Sequence, residues 1–480
     1  MWKMILAVTF LFLLIFSSTT YALMPYHLFE PIPGLAGNAV SEIVWDGKWI
    51  WVGTVDGVSK TSDGGLNWNT YNTTNGLSYN DVTALAASDS TLWVAVAYTR
   101  FIEGESYPFG GGFNKTTDYG DTWKDIEPSQ ATYWYKLAFD IAMADTVVWA
   151  ACIYGGLIRF FNDTTWENVF ADSSAQDDFE KDSTGNNLNN IFFAAVADTF
   201  SPDTTFIWTG TCAGICKFVY TDSDTADTVM NYNSYDGTIC GDFVFSIAVQ
   251  KYEDRKIIWA GTRTDCDGGT FDACKSTDEG QTWETIPELE LYAVNNFDFD
   301  DSVVWAATNS GLKRSKDWGE TWDVFNYMQD KDYPDQRVLS NEFYSVRVVG
   351  NAVWAGNADG LVKTEDEGQT WKVYRSFIPI DTKGYETAYA YPNPFSPKLF
   401  TQSTRIHYKP QRDGYVTIKI YDFAMNLVKE IKAGQRIGGR EYDETWEGKN
   451  DEGEVVANGT YFFKVEANAQ TEWGKIVVIK

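Results

Sequence analysis

Seven short apolar runs, each centred on one tryptophan, punctuate the chain. Residues 50–53, 92–95, 148–151, 207–210, 258–261, 304–307 and 353–356 hold Trp51, Trp93, Trp149, Trp208, Trp259, Trp305 and Trp354. A small residue, a turn and a glycine often follow. Around the sixth run, residues 293–299, 302–307, 311–315 and 321–325 are rich in β-branched and aromatic side chains and read as four strands. Gly311 closes the turn between the second and third, where a tight hairpin needs a positive φ; Gly57, Gly214 and Gly360 recur at the same place. Successive tryptophans are 42, 56, 59, 51, 46 and 49 residues apart. A four-stranded unit repeated seven times at that spacing predicts an all-β chain folded as a seven-bladed β-propeller.

Between the third and fourth strands stands a second repeat, of the form [ST]-x-D-x-G-x-[TN]-W. Its five copies begin at Thr61, Thr116, Ser276, Ser315 and Thr364 and carry Asp63, Asp118, Asp278, Asp317 and Asp366. These aspartates are separated by 55, 160, 39 and 49 residues, so the long gap has room for two units whose boxes have decayed. The residue types suit a turn. A short carboxylate accepts backbone N–H groups of its own loop, Ser or Thr caps it, and glycine takes the left-handed position. Tryptophan then carries apolar surface into the fourth strand, to pack between units. The aspartates therefore read as structural, without a catalytic or metal role. In the fourth unit Asp222, Asp224 and Asp227 replace the box; they lack the glycine and final glutamate of a calcium loop and read as a solvated turn.

The octapeptides resemble the Asp-box, or bacterial neuraminidase repeat, of sialidases, sortilin-type receptors, xyloglucan-degrading hydrolases and a photosystem assembly factor. Residues 75–82, leading into Trp93, resemble the propeller repeats of two-component regulator sensors. Together these resemblances span about residues 41–374 and imply a fold rather than an activity.

Beyond residue 376 the composition changes. Residues 377–386 read as a linker, and within 387–480 the runs 404–408, 415–421, 427–431, 441–446, 460–465 and 475–479 alternate like strands of a small immunoglobulin-like sandwich. Tyr391-Pro392-Asn393-Pro394-Phe395 and residues 416–422, 446–453, 457–462 and 475–480 resemble the C-terminal sorting domain of type IX secretion substrates, itself similar to the immunoglobulin-like domain of the flagellar hook-capping protein. Asn426 stands where that family carries glycine, and asparagine tolerates the left-handed turn expected there. The resemblance implies contact with secretion machinery and, with or without cleavage of the tail, surface attachment.

At the other end, Lys3 precedes an apolar run at 4–16 and a polar stretch closing on Ala22, the pattern of a signal peptide spanning 1–22. The propeller is then expected over 23–376. The run is too short to cross a bilayer, and no other apolar stretch approaches the length needed, so no transmembrane segment is expected in the mature chain. Residues 26–31 look like a fourth strand without its three companions, yet the seventh unit has its own at 371–374, which leaves one strand over.

Composition narrows the partners. A formal charge of −29, from 38 basic and 67 acidic residues, argues against nucleic acid. The resemblance of the tail, with the signal peptide, implies a protein secreted from, or held on the outer surface of, a Gram-negative-type bacterium. Cys152, Cys212, Cys216, Cys240, Cys266 and Cys274 suit that compartment and are expected as disulfides on one rim of the ring. Cys266 and Cys274, flanking a single loop, are expected to pair, and the other four leave three pairings open.

The same rim carries the longest loops, and with them the candidate ligand-binding side chains Tyr98, Arg100, Phe101, Tyr133, Trp134, Tyr135, Tyr235, Tyr333 and Arg337. These could stack on sugar rings, anchor a protein, or pack on one another. A sialidase of the resembling type needs an early Arg-Ile-Pro, where this chain has Glu30-Pro31-Ile32-Pro33. The two histidines, His27 and His407, lie too far apart for a shared metal site or a propeller triad. The chain is read as an exported, non-catalytic propeller binding protein or glycan at its rim, with no cofactor. A secreted Asp-box glycoside hydrolase and a structural envelope component are the alternatives.

Overall fold

The computed structural model describes residues 29–31 and 34–479, apart from 103–104, 129–135, 154–155, 171–189, 202, 222–225, 227, 235–238, 266–267, 334–335, 339, 380–387, 392, 394, 396, 398–403, 439–441 and 468–469. The expected signal peptide and His27 lie outside these residues. The chain divides into two compact units, formed chiefly by residues 33–376 and 377–480.

The first unit consists of seven four-stranded antiparallel sheets, each made of four strands consecutive in the chain. The sheets are blades 1 to 7, over residues 40–71, 81–126, 138–169, 192–232, 243–285, 294–325 and 343–374. First strands pack on one another in sequence, and that of blade 7, Phe343–Val349, packs back on that of blade 1, Val40–Trp45, which closes a seven-bladed β-propeller. The second and third strands are buried throughout in blades 1, 6 and 7 apart from one edge residue in each second strand of blades 6 and 7, while the short fourth strands are largely exposed or half-buried. All seven tryptophans are at most 3% exposed.

The small residue after each tryptophan follows from this packing. A Cβ on Gly261 would lie 2.2 Å from Val294 O, and one on Gly356 would lie 2.2 Å from Val40 Cγ1, both on the first strand of the next blade. At these two positions only glycine admits so close an approach. In blade 6 the fourth strand is Asp323–Phe325, shorter than the 321–325 expected, because Thr321 is engaged by the preceding turn. The excursion of blade 2, expected as a loop, is a hairpin extension in which Thr91–Ile102 and Glu105–Thr116 each run for 12 residues.

Ring closure involves no shared strand. Ile43 N donates to Ser345 Oγ (3.0 Å), Lys363 Nζ and Tyr374 OH donate to Gly64 O (3.1 and 2.9 Å), and Trp68 meets Trp354 edge-on at 6.2 Å. Ser376 N donates to Asn38 Oδ1 (2.7 Å), so the ring's last residue lies beside its first. The strand left over by the sequence is Phe29–Pro31. It pairs antiparallel with Phe377–Pro379, the start of the stretch expected as a linker, outside the seven sheets.

The second unit is an immunoglobulin-like sandwich. Ala388–Tyr391, Thr404–Tyr408 and Tyr442–Trp446 form one sheet; Leu427–Arg436, Gly414–Tyr421, Gly459–Ala467 and Gln470–Val478 form the other. Alternate residues enter the core: Ile406, Tyr408 and Trp446 from the first sheet, Val416, Ile418, Ile420, Phe463 and Val465 from the second. The Pro-Asn-Pro signature has a local cause, since Asn393 accepts from Val477 N and donates to Lys475 O, both at 2.7 Å, pinning the chain to the last strand. Asn426 does not take the left-handed turn; Met425 does (φ 65°), while Asn426 donates its backbone N–H and side-chain amide to Asp422.

Candidate functional site

All five box aspartates sit in the turn between third and fourth strands, occupied by their own loop. Asp317 Oδ1 accepts from Thr321 N and Ser315 Oγ, both 2.8 Å, and Oδ2 accepts from Thr321 Oγ1 at 2.7 Å; Ser315 Oγ in turn accepts from Gly319 N. The same set recurs at Asp118, Asp278 and Asp366, and at Asp63 with Asn67 in place of threonine. These bonds hold the carboxyls below the usual range. The Thr321 and Thr122 hydroxyls lead in bringing Asp317 and Asp118 to about 2, and the Asn67 N–H leads in bringing Asp63 there. The residue before each box glycine also adopts a positive φ, 58° at Tyr119 and 61° at Trp318, where the sequence reading assigned that conformation to glycine alone.

That second left-handed residue has a purpose the sequence reading missed. Opposite each tryptophan, on the third strand, stands a Lys or Arg: Lys60, Lys115, Arg159, Lys217, Lys275, Arg314 and Lys363, each 4.4–5.9 Å from the indole ring centre. Most of these cations reach across to the next blade's turn. Lys275 Nζ donates to Trp318 O (3.1 Å), Arg314 Nη1 to Glu367 O (2.5 Å), Lys363 Nζ to Gly64 O, and Lys60 Nζ to Tyr119 O, all carbonyls of the residue before the box glycine. The box is thus a latch between neighbouring blades. Its sequence signal was present, since a basic residue directly precedes the Ser or Thr of every box.

On the opposite face lie the fourth-to-first-strand loops. Tyr98 stacks on Tyr79 (4.7 Å, 18°) and Phe109 (5.8 Å, 25°), with the Arg100 guanidinium 5.2 and 5.3 Å from the Tyr98 and Phe109 rings, so these candidates pack on one another. Tyr333 differs. Buried Asp330 accepts from the backbone N–H groups of Asp332, Tyr333 and Val373, which fixes the loop, while the rings of Tyr327 and Tyr333 stand 58% and 62% exposed. Lys372 lies 5.7 Å from the Tyr333 ring and Arg337 5.7 Å from that of Tyr327. Tyr133, Trp134, Tyr135, Tyr235, Asp222, Asp224 and Asp227 lie outside the described residues, and of Phe101 only the backbone, within Thr91–Ile102, is described.

The expected pairing of Cys266 with Cys274 is corrected. Cys274 bonds to Cys240, with Cα atoms 6.2 Å apart, tying the loop into blade 5 to that blade's third strand. The cause is another hairpin extension: Asp265 pairs with Gly268 at the far end, while Cys274 faces Ala260 well down the ladder. Cys266 lies outside the described residues. Cys212 is disulfide-bonded, and Cys152 is a buried thiol pushed up by its burial. Cys216 is buried on the third strand of blade 4.

A third feature lies on the axis, where first strands from all seven blades line a small pocket that opens to solvent. Every first strand has a register shift near its start, such as Val40/Glu42, Ala138/Asp140 and Phe343/Ser345. In five blades the residue just past the shift is polar and bonds the next first strand. Glu42 accepts from Leu85 N (2.5 Å), Asp140 from Ala195 N (2.9 Å), Asn296 from Val346 N (3.1 Å) and Ser345 from Ile43 N; Ser246 donates to Val294 O. Blades 2 and 4 have Ala84 and Ala194 there. Burial pushes Asp140 up to about 6 and, with the Asp140 charge nearby, raises Glu42 as well; Asp298, bonded by Val348 N, is raised by the same burial.

Among the described residues no group of three or more His, Cys, Asp or Glu side chains is placed to hold a metal, and no helix is long and apolar enough to cross a membrane. His407 lies in the sandwich, 3.1 Å from Asp443.

Comparison with known proteins locates similarity in both units. Residues 396–471 match the FlgD Ig-like domain family. No curated protein matches the chain. Among solved structures, the GH74 xyloglucanase from Xanthomonas campestris is similar at 11% identity and a TM-score of 0.52, over 93% of this chain and 66% of that one. The extracellular domain of a hybrid two-component system from B. thetaiotaomicron matches at 13% identity and a TM-score of 0.49, over 96% of this chain and 59% of that one. YCF48 bound to D1 peptide matches at 16% identity and a TM-score of 0.43, over 73% of this chain and 96% of that one. The chain thus spans about three fifths of the two-component protein's domain, and identities this low show a shared fold alone.

Proposed function

We propose that this is an exported, non-catalytic propeller whose loop-bearing face binds a protein or glycan, and whose immunoglobulin-like domain serves secretion or surface attachment in a Gram-negative-type bacterium. The observation that carries the reading is the pinned loop of blade 6. Buried Asp330 fixes the backbone at Tyr333, and Tyr327 and Tyr333 stand exposed beside Arg337 and a Lys372 ion-paired with Asp332, an aromatic surface of the kind that stacks sugars or anchors a partner. The box carboxylates, in contrast, are engaged by their own turns, which supports the non-catalytic reading. Extracellular domains among the structural neighbours and the acidic charge are consistent with export.

A glycan array probed with the full chain tests this, with Tyr333→Ala as comparison. The expected result is binding that the variant weakens roughly tenfold. Release of reducing ends from a polysaccharide panel by the purified chain would instead establish the hydrolase. The mass of the protein in culture fluid reads out removal of residues 1–22 and of the tail.

A further inference from the structure

The axial pocket is distinct from the rim and has a chemistry of its own. Its wall is divided. Phe139, Phe193 and Phe245, from blades 3, 4 and 5, make an apolar arc in which the rings of Phe139 and Phe193 lie 5.1 Å apart. Ser41, Glu42, Thr83, Asn295, Asn296 and Ser345, from blades 6, 7, 1 and 2, make a polar arc, with Asp140 of blade 3 at the seam.

Two features of the polar arc are unmet by the protein itself. The cation that faces Glu42 and Asp140 is Arg347 of blade 7, which also faces Asp298 of blade 6, with Nη1 3.7 Å from its Oδ1. One guanidinium therefore serves three carboxylates. In addition, Thr83 Oγ1 is buried with no hydrogen-bond partner, in a residue only 4% exposed.

We infer that the axial pocket binds a small hydroxylated organic cation, an ammonium ion carrying at least one hydroxyl group. The positive centre sits between the carboxylates of Glu42 and Asp140 and the faces of the phenylalanines, where cation–π and charge attraction act together. The hydroxyl meets Thr83. A neutral polyol would leave the carboxylates uncompensated, and a bare metal ion would leave the aromatic arc unused.

The test is titration calorimetry of the full chain with choline, its uncharged isostere 3,3-dimethylbutan-1-ol, tetramethylammonium and glucose. Choline is expected to bind roughly tenfold or more tightly than the isostere. Thr83→Val weakens choline but leaves tetramethylammonium unchanged. Glu42→Gln, which keeps an acceptor for Leu85 N, removes most of the preference for charge, and Tyr333→Ala leaves choline binding as it was, so a failure at the rim is not a failure here. Choline carries its charge at every pH, so weaker binding at mildly acidic than at mildly basic pH reports protonation of Glu42 and Asp140. Equal binding of choline and its isostere, tighter binding of glucose, or no heat with choline overturns the inference; if Glu42→Gln does not fold, the comparison of the two isosteres on the native chain decides.

Discussion

At the outer edge of the ring, Asp63, Asp118 and Asp317 lie against water and titrate near 2; at the axis, Asp140 titrates near 6, and Glu42 and Asp298 are raised with it. Both groups accept backbone N–H bonds. Asp317 is bonded by Thr321 N at 2.8 Å, and Asp140 by Ile141 N and Ala195 N at 2.8 and 2.9 Å. Backbone donors therefore do not separate them, although Asp317 also accepts from the hydroxyls of Ser315 and Thr321. The larger difference is desolvation, since Asp140 is buried where the seven first strands converge. In blade 6 the bonds to Asp317 depress its carboxyl at the surface, whereas the Val348 N–H bond to Asp298 is outweighed by desolvation.

The sharpest break in this comparison is Asp140→Leu. It strands two buried N–H donors and is expected to cost about 3 kcal/mol in a urea melt. Next comes the dependence on pH, where the two groups oppose each other. The raised axial carboxyls, with Asp81 at about 7 and Asp56 at about 6, bind protons more tightly folded than unfolded, so their stability is present below about pH 4 and is lost as pH rises through 6 to 7. The depressed box carboxyls do the reverse, contributing above about pH 4 and losing that contribution as pH falls towards 2. Thermal melts should therefore peak at mildly acidic pH, and a maximum at pH 8 or above would remove the axial half of the argument.

Smaller effects test each group alone. Asp317→Ala leaves Thr321 N and its hydroxyl to water and should lower the thermal midpoint slightly, as for loss of a helix cap. Glu42→Gln keeps the Leu85 bond without the charge and should change stability by less than about 0.5 kcal/mol at pH 5, yet stabilise at pH 8. The two substitutions thus differ in sign at neutral pH, although each removes one carboxylate.

The blades were legible because their marks are local: a tryptophan, the small residue that the next first strand approaches, and an eight-residue turn. The cation before each box was equally visible, but its meaning was not, because Lys275 acts on Trp318 of the following blade and no spacing within one blade shows that contact. The axial ring was hidden for a different reason. The register shift that turns Glu42, Asp140 and Ser345 towards a neighbouring blade leaves no trace in a period-two pattern. The cysteine pairing failed on hairpin length, since Cys274 faces Ala260 well down a ladder whose far end is Asp265 and Gly268. For the rim, aromatic content located Tyr98 and Tyr333 alike; only packing showed that the first is held in a stack and the second stands open.

Every sector of the circle is one uninterrupted piece of backbone, and the seam between last and first is made of side-chain contacts rather than an exchanged strand. The starting point of the polypeptide is therefore arbitrary as far as the disc is concerned. A circularly permuted chain that begins at the fourth sector, with residue 376 spliced to residue 38, should assemble the same disc, since Ser376 and Asn38 already touch. By the same logic, duplication or loss of a whole sector in the gene would change the number of sectors without unpicking any sheet.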